Sequence, residues 1–270
     1  MNKTTYLDEC LQRNTIIKWP SGAMPIKVYI SPCRWYASKG NDNYTYQALA
    51  KQAFEDWQNA SKGLVSFKFV PTLQDSQINL EWKRVERKSL GHCHFTYDNK
   101  KRLFSAEINI GLSDGILHGN YQNKQEVYHT ILHEVGHSLG IGHSPFKDDI
   151  MYVPHQYGVN NLSKTDKKTL IWLYKLPSLT AEDAIKRICN EPFSSLDEMV
   201  MHIEKKQQKP QNIPSANQNS ENDLSDRDLI KEQELIADIN LYNMMMQQIQ
   251  ISPKVKNYIQ TQAILEEIED

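Results

Sequence analysis

Four of the chain's nine histidines fall within one short stretch, "HTILHEVGHSLGIGHSPFKDDIMY", residues 129–152. His133 and His137 are four apart. In a helix that spacing puts both imidazoles on one face, one turn apart, so both can reach a single ion. Glu134 points about 100° away from His133, so it flanks such an ion rather than coordinating it. A carboxylate there can hold a metal-activated water and take its proton. Gly136 offers a small surface where the helix has to pass close to a neighbour. Gly140 can take positive φ and turn the chain sharply, which brings His143 back toward the same point. Three neutral imidazoles leave one tetrahedral position open on zinc, the mark of a catalytic rather than a structural site. The chemistry this predicts is hydrolysis of a peptide bond by metal-activated water, without a covalent intermediate. His129, one turn before His133, has no place in the pattern and reads as an ordinary helix residue. Two plainer readings compete: histidines that hold nothing, and a zinc site in a protein that has lost activity. The full HExxHxxGxxH spacing weighs against the first and the presence of Glu134 against the second.

The elements that must position these residues are legible as periodicities. Residues 24–32 alternate around Ile26, Val28 and Ile30, a strand pattern. Ala50, Ala53, Phe54 and Trp57 are spaced for the buried side of a helix that Gly63 is placed to end. Strand patterns follow at 64–70, 76–82, 89–95 and 103–111. A helical pattern from Asn123 to Gly140 carries Val127, Ile131, Leu132, Val135 and Leu139. Another helix follows Ser163, with Ser163 as N-cap, Asp166 at the third helical position and Pro177 beyond the end. Strands gathered early and helices late predict an α+β domain over 18–177 behind an N-terminal lead, 1–17. Residues 178–208 read as a helical extension, with Thr180/Asp183 and Ser195/Glu198 at capping-box spacing. Residues 209–226, rich in Pro, Asn, Gln and Ser, read as a disordered linker. Residues 227–270 read as an acidic helical tail, where Leu235, Ile239, Tyr242, Met246 and Ile249 follow a coiled-coil rhythm. From 209 to 270 there are five basic and eleven acidic residues.

Composition narrows the classes. The 270 residues are 39% hydrophobic and 24% charged, as in a globular protein, and the net charge of -2 excludes bulk nucleic-acid binding. No apolar run follows Lys3, so no signal peptide is expected, and no stretch is long and apolar enough for a membrane span. Cys10, Cys33, Cys93 and Cys189 form no CxxC and read as free thiols in a reducing compartment, with a Cys33–Cys93 disulfide as the alternative.

HExxHxxGxxH followed by a methionine turn, here "DIMY" with Met151 eight residues after His143, resembles the metzincin metalloproteases. Ser144 after the third histidine makes "HEVGHSLGIGHS" resemble the matrixin, or matrix metalloproteinase, type. "PIKVYI", "AFEDWQNASKGLVSFKFV", "SQINLEW" and "LSKTDKKTLIWLY" resemble matrixin strands and helices, and the likeness covers residues 18–176. The resemblance implies a zincin-like domain: a twisted mixed sheet, an active-site helix beneath it, and one catalytic Zn2+ held by His133, His137 and His143. It implies Glu134 as general base and Met151 as a hydrophobic floor. The strand containing Gly91 and His92 becomes the cleft rim, to which an extended substrate adds as an antiparallel strand. The segment holding Tyr152 and Pro154 becomes the wall of the specificity pocket.

Departures from the family shape further expectations. The usual Met-Tyr-Pro reads "MYVP". His92 and His94 lack the full partner set of a second, structural zinc, because Glu107 stands where another histidine is common. Asp98 and Asn99 offer too little for calcium. Neither ion is expected. Cys10 lacks the context of an inhibitory cysteine switch, and its coordination to zinc is the minor alternative. The function expected is that of a zinc-dependent metalloendopeptidase acting on a protein or peptide substrate, with no nucleic-acid partner and a possible protein partner at residues 227–270. The rivals are an inactive zinc-binding peptide-binding module and an interaction protein acting through its tail. The lack of a signal peptide points to the cytoplasm, the family resemblance to the extracellular space.

Overall fold

The structure is a computed structural model and describes residues 4–33, 42–113, 123–189 and 191–208. By contacts the chain divides into two compact units, Met1–Glu204 and Lys205–Asp270. The sequence's linker at 209–226 and tail at 227–270 lie outside the described residues.

Strands β1 (Ile26–Ile30), β2 (Phe67–Phe69), β3 (Ile78–Arg84), β4 (Gly91–Tyr97) and β5 (Leu103–Leu112) form one sheet in the order β2-β1-β3-β5-β4. The neighbours β1–β2, β1–β3 and β3–β5 are parallel, and β4 runs antiparallel to β5 with Gly91 opposite Ile110 and Phe95 opposite Ala106. Parallel neighbours need a crossover. Helix α1 (Asp42–Ala60) supplies the one between β1 and β2. Its Ala50, Ala53, Phe54 and Trp57 are fully buried, as their spacing predicts, and Gly63 takes φ 84° just past its end. The alternation of Ile78, Leu80 and Trp82 turns one face of β3 into the core. The fold is α+β with a mixed five-stranded sheet, as expected.

Helix α2 (Lys124–Ser138) packs against α1, β4 and β5. Two tryptophans fasten it: Trp57 Nε1 donates to Leu132 O and Trp19 Nε1 to Ser138 O, both at 2.8 Å. Helix α3 (Lys164–Lys175) begins with the capping box read from Ser163 and Asp166. Helices α4 (Ala181–Ile188) and α5 (Leu196–Gln208) follow. Thr180 caps α4 through Asp183 N, and Ser195 Oγ accepts from Glu198 N at 3.2 Å.

The compact unit runs on past Pro177, where the sequence pattern closes its domain. The N-terminal lead is part of this unit. Tyr6, Leu7, Cys10, Ile16 and Ile17 are buried, and Thr5 Oγ1 and Leu7 N both donate to Asp197 of α5, at 2.8 and 2.7 Å. The apolar lead residues carry no periodicity long enough to read from sequence. No disulfide joins any of the four cysteines. No helix among the described residues is long and apolar enough to cross a membrane.

Candidate active site

Helix α2 starts at Asn123, whose side chain accepts from Gln125 N at 2.9 Å. It ends in a Schellman turn. Gly140, at φ 89°, donates from its N to His137 O, while Ile141 N reaches back to Gly136 O. The turn sends the chain back across the helix end, so His143 meets the two histidines of α2. The candidate ligand atoms of His133, His137 and His143 all lie within 4.8 Å of one another. His137 Nε2 and His143 Nε2 are 3.2 Å apart. Two nitrogens at about 2.0–2.1 Å from a tetrahedral zinc stand roughly 3.3 Å apart, so this spacing suits one shared ion.

Hydrogen bonds fix how two of the rings are presented. His133 Nδ1 lies 2.8 Å from Ile150 O, and His137 Nδ1 lies 2.8 Å from Ile141 O. A carbonyl only accepts, so each Nδ1 carries the proton and each Nε2 keeps a free lone pair. Burial holds all three histidines below their ordinary basicity, His137 down to about 4, and the neighbouring His137 adds to the effect at His133. Neutral imidazoles with converging lone pairs are a donor set for a borderline cation such as zinc.

Glu134 lines the same cleft and is only 6% exposed; burial pushes its carboxyl up to about 8. Its position depends on Gly91 of β4. A methyl group there would stand 2.8 Å from Glu134 Oε1 and 2.6 Å from Thr130 Cγ2. Gly136 plays the same part on the opposite side of α2, where a methyl would overlap Met151 Sδ and stand 2.9 Å from Trp57 Cζ2. Met151 is fully buried there.

The loop between His143 and α3 is held at several points. Ser144 N donates to Met151 O at 2.9 Å, and Ser144 Oγ donates to Asp149 Oδ2 at 2.5 Å. Asp166 accepts from Ile150 N at 2.9 Å, from Ser163 N at 2.9 Å and from Tyr6 OH at 2.6 Å. The backbone of Ile150 therefore links Asp166, through its N–H, to His133, through its carbonyl. The lead supports His143 from below. Gly142 N donates to Cys10 Sγ at 3.3 Å, and a methyl on Gly142 would fall on the Glu9 carbonyl. Cys10 is 1% exposed and its thiol is pushed up to about 12 by burial, so it packs against the loop instead of meeting the histidine nitrogens.

The resulting cleft has a volume of about 640 Å³. The structure brings His133, Glu134, His137, His143, Gly91, His92, Tyr152 and Pro154 to it, while Met151 lies buried against α2. His94 faces Glu107 across β4–β5, and Asp98 is paired with Arg102 at 2.6 Å. Glu9 and Gln12 of the lead also line the cleft, as do Lys88, His129 and His155. Sequence spacing gives no signal for the lead residues. His129 was legible as a histidine one turn before His133, but its place in the cleft wall depends on the loop that folds over it.

The chain is 28% identical over 137 residues to a protein of Heliothis virescens ascovirus 3e provisionally named a matrix metalloproteinase. The match takes in 44% of this chain and 28% of that protein's length. The sequence model of the matrixin family matches residues 34–175, which is over half of the chain, and the chain belongs to that family.

Proposed function

We propose that the protein is a zinc-dependent metalloendopeptidase, with His133, His137 and His143 as the metal ligands and Glu134 as the general base. The observation that carries this reading is the convergence of three neutral imidazoles, two oriented by backbone carbonyls, beside a buried carboxylate in an open cleft. Zinc bound there would acidify a water molecule toward a pKa of about 7 and polarise the scissile carbonyl. The protein's own groups do the rest. A cation on the histidines favours the ionised form of Glu134, which then accepts the proton of the attacking water and returns it to the leaving amine. Gly91 lets the strand pass close over this carboxylate. Among the described residues β4 is the last strand of the sheet, so its outer edge would offer an extended peptide a place as a further antiparallel strand. Buried Met151 and Trp57 hold the helix from behind.

The test is cleavage of a generic protein substrate by native protein and by Glu134→Gln, with and without a chelator, alongside metal analysis of both. The expected result is one zinc in each protein, and cleavage by the native protein alone that the chelator abolishes. Zinc in both proteins but cleavage by neither would leave a peptide-binding module and remove the enzyme.

A further inference from the structure

We infer that the recess beside His133 selects a substrate side chain that donates a hydrogen bond. This deepens the endopeptidase reading and rests on it for the cleavage readout. His129 sits one turn before His133 with its ring nearly parallel to it, centroids 6.4 Å and planes 13° apart. It lines the cleft although the residue is 2% exposed. Its Nδ1 lies 2.6 Å from Val159 O, which can only accept, so Nδ1 carries the proton. Nε2 is then the ring's remaining polar atom, an acceptor with no partner among the described residues. His155 meets the His129 ring edge-on at 4.1 Å, and His155 Nε2 lies 2.7 Å from Glu126 Oε2. His129 and His155 therefore line this part of the cleft in ring contact, each held by a hydrogen bond to a group behind it, the Val159 carbonyl and the Glu126 carboxylate. Helix α2 supplies Glu126 and His129, and the loop after Met151 supplies His155 and Val159.

A peptide whose carbonyl reaches the three histidines and Glu134 presents an adjacent side chain to this recess. An aliphatic or phenyl group there covers the His129 acceptor and leaves it unpaired, which is costly in a dry site. A hydroxyl or amide donor pairs with it. Sites that hydrogen-bond a substrate group discriminate against isosteres lacking it more strongly than apolar pockets discriminate by size. The inference is that glutamine, threonine or tyrosine is preferred over methionine, valine or phenylalanine, by about tenfold or more.

The test is digestion of a mixed peptide library by the zinc-loaded full chain, with the new termini read by mass spectrometry. Native protein should favour the donor of each pair at one position next to the cut, and His129→Leu should shift that position toward the aliphatic or phenyl partner while retaining zinc. His129→Gln, which keeps a hydrogen-bonding group, should retain the donor preference. A native preference for methionine, valine and phenylalanine would overturn the inference, as would an unchanged profile in a folded, zinc-loaded His129→Leu. If native protein cuts nothing, the endopeptidase reading fails separately. The inference is then decided by fluorescence anisotropy of labelled peptide pairs differing only at that residue: tighter binding of the donor peptides supports it and equal binding refutes it.

Discussion

Replacing Gly142 with alanine places one methyl group against the Glu9 carbonyl. The methyl is fixed by the backbone that carries it and its partner is a backbone carbonyl, so no side chain can swing aside. Ordinary contact for such atoms is near 3.5 Å, and regaining it requires one backbone to retreat by roughly 1 Å or more. If the lead yields, the Cys10–Gly142 contact is lost and the cost appears as stability, about 1–3 kcal/mol for an overpacked site. If the loop yields, His143 moves, and a shift beyond about 0.2 Å already exceeds the tolerance of a zinc–nitrogen bond. The same strain relieved by releasing the metal corresponds to a roughly ten- to hundredfold loss of zinc affinity. Two measurements on the variant separate these cases: denaturant unfolding of the metal-free protein, and zinc titration against a competing chromophoric chelator. Gly22→Ala is the control, because nothing lies within 4 Å of its added methyl. A Gly142→Ala protein with native unfolding stability and zinc affinity within about twofold of native would refute the claim that the lead positions the third histidine.

Other perturbations have equally definite outcomes. Asp166→Ala removes the capping box of α3 and leaves Ile150 N without its acceptor; unfolding should cost about 2–4 kcal/mol, with weakened zinc binding through His133. Gly91→Ala crowds Glu134 and Thr130, so kcat should fall by at least about tenfold while zinc content stays at one. Asp197 is raised from 3.8 to about 6, first by burial and then by its hydrogen bond with Asp8. Between those values the folded state holds more protons than the unfolded one, so this contribution to stability is fully present below about pH 4 and lost as pH rises through 6. Unfolding titrations of native protein and Asp197→Asn across pH 3.5–7 should therefore diverge in slope inside that window, and parallel curves would remove Asp197 as the source.

The site was legible where its chemistry depends on short-range geometry. The i, i+4 histidines, the glycine turn and the Ser163 capping box are all set by helix pitch and local φ preference, and each is where its spacing puts it. The strands and the buried face of α1 were legible for the same reason. What sequence did not reveal is carried by contacts between distant segments. Residues 4–17 have too little periodicity to announce that they pack under the His143 loop. The role of His129 depends on Val159 and His155, which reach it only once the loop after Met151 has folded over α2.

The three bonds at Asp166 bear on how the protein can be taken apart. One carboxylate joins Tyr6 of the lead, the Ile150 backbone beside His133 and the first turn of α3. The lead is in turn tied to α5 through Asp197. Trimming the chain to residues 18–177, the boundaries suggested by motif and helix patterns, would keep every candidate metal ligand yet remove the phenol that meets this carboxylate and expose the apolar surface that Tyr6 and Leu7 cover. The smallest piece expected to fold by itself is the first compact unit, Met1–Glu204. A shorter piece should bind zinc poorly with its histidines intact, and this boundary is the first to respect in any dissection of the molecule.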